Sequence, residues 1–223
     1  MITLFFVATR FLVLSALFLG VLLLSAGRID FPGAWAWSAI VFSVALGTYA
    51  WLLRVNPGLV QERLAPPKGT DRDAATRRLV ILPILGHLVL AGLDARLRWS
   101  TVPLAAQLAG LVFVASGFML VTWVLANNPF ASSQVRIQTE RKQAVISSGP
   151  YRLVRHPMYL AVVLVALGSG IALGSWWASL SLVPLVAVFI RRTGIEDRML
   201  HDELDGYRAY AERVRWRVVP LVY

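Results

Sequence analysis

The twelve residues from Ser148 to Tyr159 read Ser-Gly-Pro-Tyr-Arg-Leu-Val-Arg-His-Pro-Met-Tyr, directly before an apolar segment. Pro150 and Pro157 fix φ and turn the residues ahead of them away from helix, so the run is a shaped elbow. It holds Arg152, Arg155 and His156 together with the rings of Tyr151 and Tyr159 at the mouth of the next helix. That is a place where a charged ligand can meet a lipid-soluble one.

A second constellation lies about 40 residues on. Glu196, Leu200, Leu204, Tyr207, Ala211 and Val214 recur at spacings of four and three, as on one helix face. Glu196 opens that face and is expected to point toward the body of the protein, with Arg198, Asp202 and Asp205 toward water. A carboxylate aimed into a covered cleft needs a partner, because burying it unpaired is costly. Asp197 beside it doubles the acceptor capacity. Gly206 weakens a helix by about 1 kcal/mol relative to Ala and is expected to divide this one. Tyr207 and Tyr210 are expected to pack with their hydroxyls capped.

Other chemistries are absent from the sequence. With no cysteine there is no disulfide, thiolate nucleophile or iron–sulfur cluster. The three histidines, His87, His156 and His201, show no paired metal-ligand spacing, so no metal site is expected. No Gly-rich phosphate loop follows a strand pattern. A nucleotide-like cofactor must therefore bind without a Rossmann sheet.

The elements that carry these residues are membrane helices. Hydrophobic residues make up 57% of the 223, and mean hydropathy is +0.65. Apolar runs near residues 3–24, 34–53, 79–93 and 102–126, then a tighter pair near 159–173 and 176–190, predict about six spans. Crossing the hydrocarbon takes about 20 residues. The fold class expected is an all-α polytopic transmembrane bundle. Its last two spans form a short hairpin joined at Gly174-Ser175, and a cytoplasmic C-terminal helix follows. Gly168, Gly170 and Gly174 are expected to let the hairpin helices approach closely. Residues 1–126 form the N-terminal transmembrane part and residues 127–223 the catalytic half of the same structural unit. Between them, Asn127 and Asn128 end the fourth span, satisfying backbone groups there, and residues 135–146 form a polar connector. The inner loop 54–78, with Pro66-Pro67, is turn-rich. His87, inside the third span, is read as a neutral ring hydrogen-bonded to a neighbouring helix.

Charge orients the bundle. Of 22 Lys and Arg, 18 lie in residues 54–78, 127–157 and 191–223, which are the inner side if the N-terminus is inside. The positive-inside bias places both termini in the cytoplasm, and the location expected is a bacterial inner membrane. The net charge of +10 is thus orientation and lipid contact, with the basic residues dispersed and forming no nucleic-acid stripe.

The pattern Gly149-Pro150-Tyr151-Arg152-x-x-Arg155-His156-Pro157-x-Tyr159, then Glu196-Asp197, Gly206-Tyr207-x-x-Tyr210 and Pro220, resembles the isoprenylcysteine carboxyl methyltransferase and phospholipid methyltransferase superfamily. The resemblance runs from about Asn127 to Pro220, with Asp197 standing where the family usually has a second Glu. It implies an integral membrane methyltransferase that uses S-adenosylmethionine. On that footing Arg155, His156 and Glu196 are the expected catalytic residues. Gly149, Pro150, Tyr151, Arg155, His156, Pro157, Tyr159, Glu196 and Asp197 are expected to bind the cofactor. Arg155, with Arg152, would take its carboxylate, Glu196 its ribose diol or ammonium, and the Tyr151 and Tyr159 rings its adenine or sulfonium. Asn128 and Arg213 are the expected substrate-binding residues, with Arg215 an alternative to Arg213.

The partners implied are the lipid bilayer and a lipophilic or small acceptor whose reacting group is a carboxylate, an amine or a thiol. Two other readings stand beside this one. Sterol and steroid reductases share Arg-His-Pro-x-Tyr and use NADPH, but they carry Asn before the Tyr and Gly-Glu after it, where this chain has Met158 and Leu160-Ala161-Val162. A non-catalytic membrane protein leaves the elbow unexplained.

Overall fold

The computed structural model describes residues 4–64, 73, 76 and 80–223. The predicted Pro66-Pro67 turn and the start of the predicted third span, Leu79, lie outside them. Helices α1 (Leu4–Ala26), α2 (Pro32–Val55), α3 (Pro57–Leu64), α4 (Ile81–Leu97) and α5 (Leu104–Asn127) come first. The connector and elbow follow, each with one 3-10 turn, at Thr139–Arg141 and Gly149–Arg152. Then come α6 (Pro157–Ala172), α7 (Trp176–Ser181), α8 (Val183–Glu203) and α9 (Tyr207–Arg213). There is no strand among the described residues, as the missing alternation in the sequence predicts.

Helices stand at all six expected places, but among the described residues four apolar stretches are long enough to cross a membrane: α1, α2, α5 and the run Trp176–Glu203 made of α7 and α8. The 16 residues of α6 rise about 24 Å, short of about 30 Å of hydrocarbon. The outer faces suit lipid, with Phe5, Leu12, Leu24, Val112 and Leu180 exposed. The last expected span is not one helix. Pro184, in the first turn of α8, cannot supply a backbone donor, and the chain breaks at Leu182. The C-terminal helix also differs from expectation. Glu196 and Asp197 lie on α8 itself, continuous with the last apolar run, and only α9 is separate. Gly206 makes that division with φ of 81°.

The tightest helix contact is α5 against α6. A methyl group on Gly110 would come within 2.6 Å of the Ala172 amide nitrogen, and one on Gly117 within 2.9 Å of the Ala161 carbonyl. Gly168 serves this contact, facing Gly110, and not the hairpin for which it was expected. Of the three hairpin glycines, Gly170 meets Ser179 of α7 and Gly174 makes the turn with φ of 75°. Ser175 caps α7, accepting from the Ala178 amide at 2.9 Å. His87 is hydrogen-bonded to the Ala178 carbonyl (2.9 Å) and Ser169 Oγ (2.8 Å), as its sequence position predicts. With α5 and α6 pinned along their length, the elbow before α6 is fixed relative to the end of α5. Val135, Met199, Leu200, Tyr207, Tyr210 and Ala211 then pack the connector, α8 and α9 together around it.

Candidate functional site

The elbow's shape follows from its prolines and one glycine. Gly149 has φ of 56°, and a side chain there would collide with the Asn127 carboxamide at 2.5 Å. Pro150 starts the 3-10 turn and is buried, while His156 caps α6 ahead of Pro157. This geometry turns Tyr151, Arg155, His156 and Tyr159 toward α8 while Arg152 stays exposed.

Those side chains and Glu196 line a single cavity of about 360 Å³. Small-molecule sites occupy roughly 300–1,000 Å³. Asn128 and Pro157 also line it, so seven of the expected site residues meet there. Gly149 and Pro150 shape the elbow without reaching the cavity wall. Arg213 is exposed on α9, and neither it nor Arg215 lines the cavity. The wall also includes apolar Val80, Val162 and Phe189, polar Ser132 and Gln134 ahead of the connector, and Gln138 within it.

The two acids divide the work. Glu196 faces the cavity and accepts a short hydrogen bond from the Tyr159 hydroxyl, which itself accepts from Arg192 Nε at 3.0 Å. Arg192 is anchored further by donating to the Ser133 carbonyl at 2.9 Å. Asp197, on the next face of the helix, is buried behind the wall. It accepts from His156 Nε2 (3.1 Å), the Tyr207 hydroxyl (2.8 Å) and Arg217 Nε (3.0 Å). An ionised carboxylate only accepts, so His156 carries its hydrogen on Nε2 and, when neutral, offers Nδ1 as an acceptor. Burial first, and then the Asp197 charge, push the Tyr207 phenol up, which keeps it a donor. Tyr207 therefore has the capped hydroxyl expected of it but also belongs to the site. Tyr210 caps its own by donating to the Tyr151 carbonyl at 2.8 Å.

Arg155 differs from these. Its side chain is 9% exposed and its Nε lies 3.4 Å from Asp197 Oδ1, yet that nitrogen makes no hydrogen bond among the described residues. A buried guanidinium that pairs with its carboxylate only loosely at Nε, in the wall of a cavity, fits a site for an anionic group. Asn128 holds the opposite side: it donates to the Tyr151 hydroxyl at 2.7 Å and accepts the Phe130 amide at 2.8 Å, while Asn127 donates to the Trp123 carbonyl at 2.9 Å. Both asparagines thus finish α5 as expected. Burial pushes the Tyr151 phenol up, so it remains neutral.

Several residues of the site carry no local signal in the sequence. Arg63, Arg136 and Arg192 line the cavity, and Arg217 supports it. Arg136 pairs with Glu62 at 2.8 Å and Glu140 at 2.7 Å, and Arg63 Nη1 donates to the Ala131 carbonyl at 2.7 Å. Together they tie Ala131 and the connector to α3 at the cavity wall. In the sequence these arginines are indistinguishable from the other Lys and Arg between the apolar runs.

Fold and site together define a helical membrane protein with a basic, aromatic and acidic cavity at one end of its helices. Residues 105–204 match the family model for phospholipid methyltransferase, which lies in the superfamily of integral membrane methyltransferases. The match runs from the first turn of α5 to just past α8, so it takes in the elbow and the acidic pair and stops before α9. It begins earlier and ends earlier than the stretch the motifs mark out. No curated protein matches the chain.

Proposed function

We propose that the protein is an S-adenosylmethionine-dependent methyltransferase of the membrane, acting on a lipophilic or small acceptor at the cytoplasmic interface. The observation that carries this reading is the convergence of Arg155, His156, Tyr159 and Glu196 on one cavity. When bound, S-adenosylmethionine supplies a methyl group whose bond to sulfur breaks, with the electron pair returning to sulfur, as a bond to the acceptor's lone pair forms.

The residues present fit that group. Arg155, which meets Asp197 only at Nε and at 3.4 Å, offers the rest of its guanidinium to the group's carboxylate. Glu196 offers a carboxylate to its ammonium or ribose hydroxyls, held in place by Tyr159 and Arg192. The connector, tied to α3 through Arg136 and Glu62, forms one wall of the cavity. Displacement at a sulfonium needs mainly alignment, which in favourable cases is equivalent to effective molarities of about 10⁵–10⁸ M. A carboxylate acceptor requires no base. An amine must surrender a proton, and His156 and Glu196 are the groups placed to take it. The excess of Lys and Arg on the site's side of the spans supports a cytoplasmic cavity and cytoplasmic termini.

Calorimetric titration of the detergent-purified protein with S-adenosylmethionine, and separately with NADPH, tests the reading. Saturable binding of the first alone is expected, with affinity lost in Arg155→Ala and Glu196→Ala. Binding of NADPH alone favours the reductase class, and binding of neither removes the enzyme reading.

A further inference from the structure

Beyond α9 the chain returns to the elbow. The Arg155 amide donates to the Trp216 carbonyl (2.9 Å) and the His156 amide to the Arg217 carbonyl (2.8 Å), laying residues 216–217 alongside residues 155–156. The Arg217 side chain is then held by two partners. Its Nε donates to Asp197 Oδ2 at 3.0 Å, and its Nη1 donates to the Tyr223 hydroxyl at 3.2 Å, with the guanidinium 5.3 Å from the Tyr223 ring centre.

This places Arg217 in competition with Arg155 for one carboxylate. Oδ1 of Asp197 takes His156 and Tyr207, and Oδ2 takes Arg217. A guanidinium captures a carboxylate best when it engages both oxygens in parallel. With Oδ2 occupied from the far side, Arg155 sits 3.4 Å from Oδ1 and forms no such fork. We propose that Arg217 is a positioning residue: by holding Asp197 Oδ2 it limits the Arg155–Asp197 ion pair to one loose contact at Nε, and so leaves the outer nitrogens of Arg155 for the anionic group of the cavity's ligand. The proposal rests on the methyltransferase reading of the cavity, and Arg217 lies outside the stretch that matches the family. It also explains why arginine stands here. Two nitrogens go to two different partners, and a lysine ammonium would serve only one of them with the same reach.

The test is a double-mutant cycle on the full chain in detergent, reading S-adenosylmethionine affinity by calorimetry. Arg217→Ala is expected to weaken binding about tenfold, the size of one charge-assisted hydrogen bond. Arg217→Lys should fall between Arg217→Ala and wild type. The decisive comparison is Arg155→Ala with Arg155→Ala/Arg217→Ala. If Arg217 acts through Arg155, the double variant binds no more weakly than Arg155→Ala alone. A merely structural role gives losses that multiply, and that result overturns the proposal, as does unchanged affinity in Arg217→Ala. If Arg217→Ala does not fold, the cycle is run with Arg217→Gln, which fills the space without the charge. A wild-type protein that binds no S-adenosylmethionine fails the methyltransferase reading and this proposal together. Normal wild-type binding with multiplying losses removes this proposal alone.

Discussion

Asp197→Asn changes one oxygen to an amide nitrogen at the most connected polar group of the site, with almost no change in volume. The carboxylate accepts three hydrogen bonds, from His156, Tyr207 and Arg217, with a fourth donor, Arg155, at 3.4 Å. If Asn keeps its oxygen at the Oδ1 position, its NH₂ faces Arg217 Nε across the 3.0 Å now occupied by a hydrogen bond, a donor against a donor. One charged hydrogen bond, worth about 1.5–3 kcal/mol, is lost outright, and the bonds from His156 and Tyr207 weaken toward neutral strength. The expected cost is about 3 kcal/mol. Thermal unfolding in detergent, followed by tryptophan fluorescence, should fall by several degrees. Asp202→Asn, on the exposed face of the same helix, is the control and should stay within about 0.5 kcal/mol of wild type. Equal melting of Asp197→Asn, Asp202→Asn and wild type would mean that Asp197 does not organise the elbow.

Tyr159→Phe removes the hydroxyl between Glu196 and Arg192 and leaves Arg192 Nε without its partner. A stability loss of about 1–3 kcal/mol is expected, along with weaker S-adenosylmethionine binding as Glu196 loses its support. Calorimetry and thermal unfolding check the two effects separately. Gly110→Ala should cost about 1–3 kcal/mol, because the added methyl meets backbone of α6 at 2.6 Å and backbone cannot step aside. Gly47→Ala, where nothing lies within 4 Å, should be neutral or stabilising, and size-exclusion profiles with thermal unfolding compare the pair.

The parts of this structure that were legible in the sequence are those written in local periodicity and punctuation. Apolar runs located all six helical regions, the Asn127-Asn128 pair marked the end of α5, and Gly206 marked the break before α9. The Gly-Pro-Tyr and His-Pro-x-Tyr context singled out the elbow, and the four-and-three stripe set Glu196 inward. What was not legible depends on pairing at long range. Arg136 meets Glu62 across 74 residues and Arg192 meets Ser133 across 59, and nothing near an arginine distinguishes such a partner from lipid headgroups. Gly168 could face either neighbour of α6, and only the packed bundle decides for α5. The number of full spans is not read from apolar runs alone, because such a run reports burial in lipid or in protein alike, and α4 and α6, at 17 and 16 residues, are shorter than the four long apolar stretches among the described residues. The stripe aimed Glu196 at the cavity. Asp197 was expected beside it on the cofactor, but it lies behind the wall, with partners from the elbow, α9 and the tail.

An experimental structure of the protein with S-adenosylhomocysteine bound is the measurement that bears hardest on the elbow and the acidic pair acting as one site. The ligand should lie between the elbow and α8, with its carboxylate on Arg155 and its amine or ribose hydroxyls on Glu196. Density for it elsewhere on the molecule, or Arg155 and Glu196 facing separate spaces, would contradict the site described above.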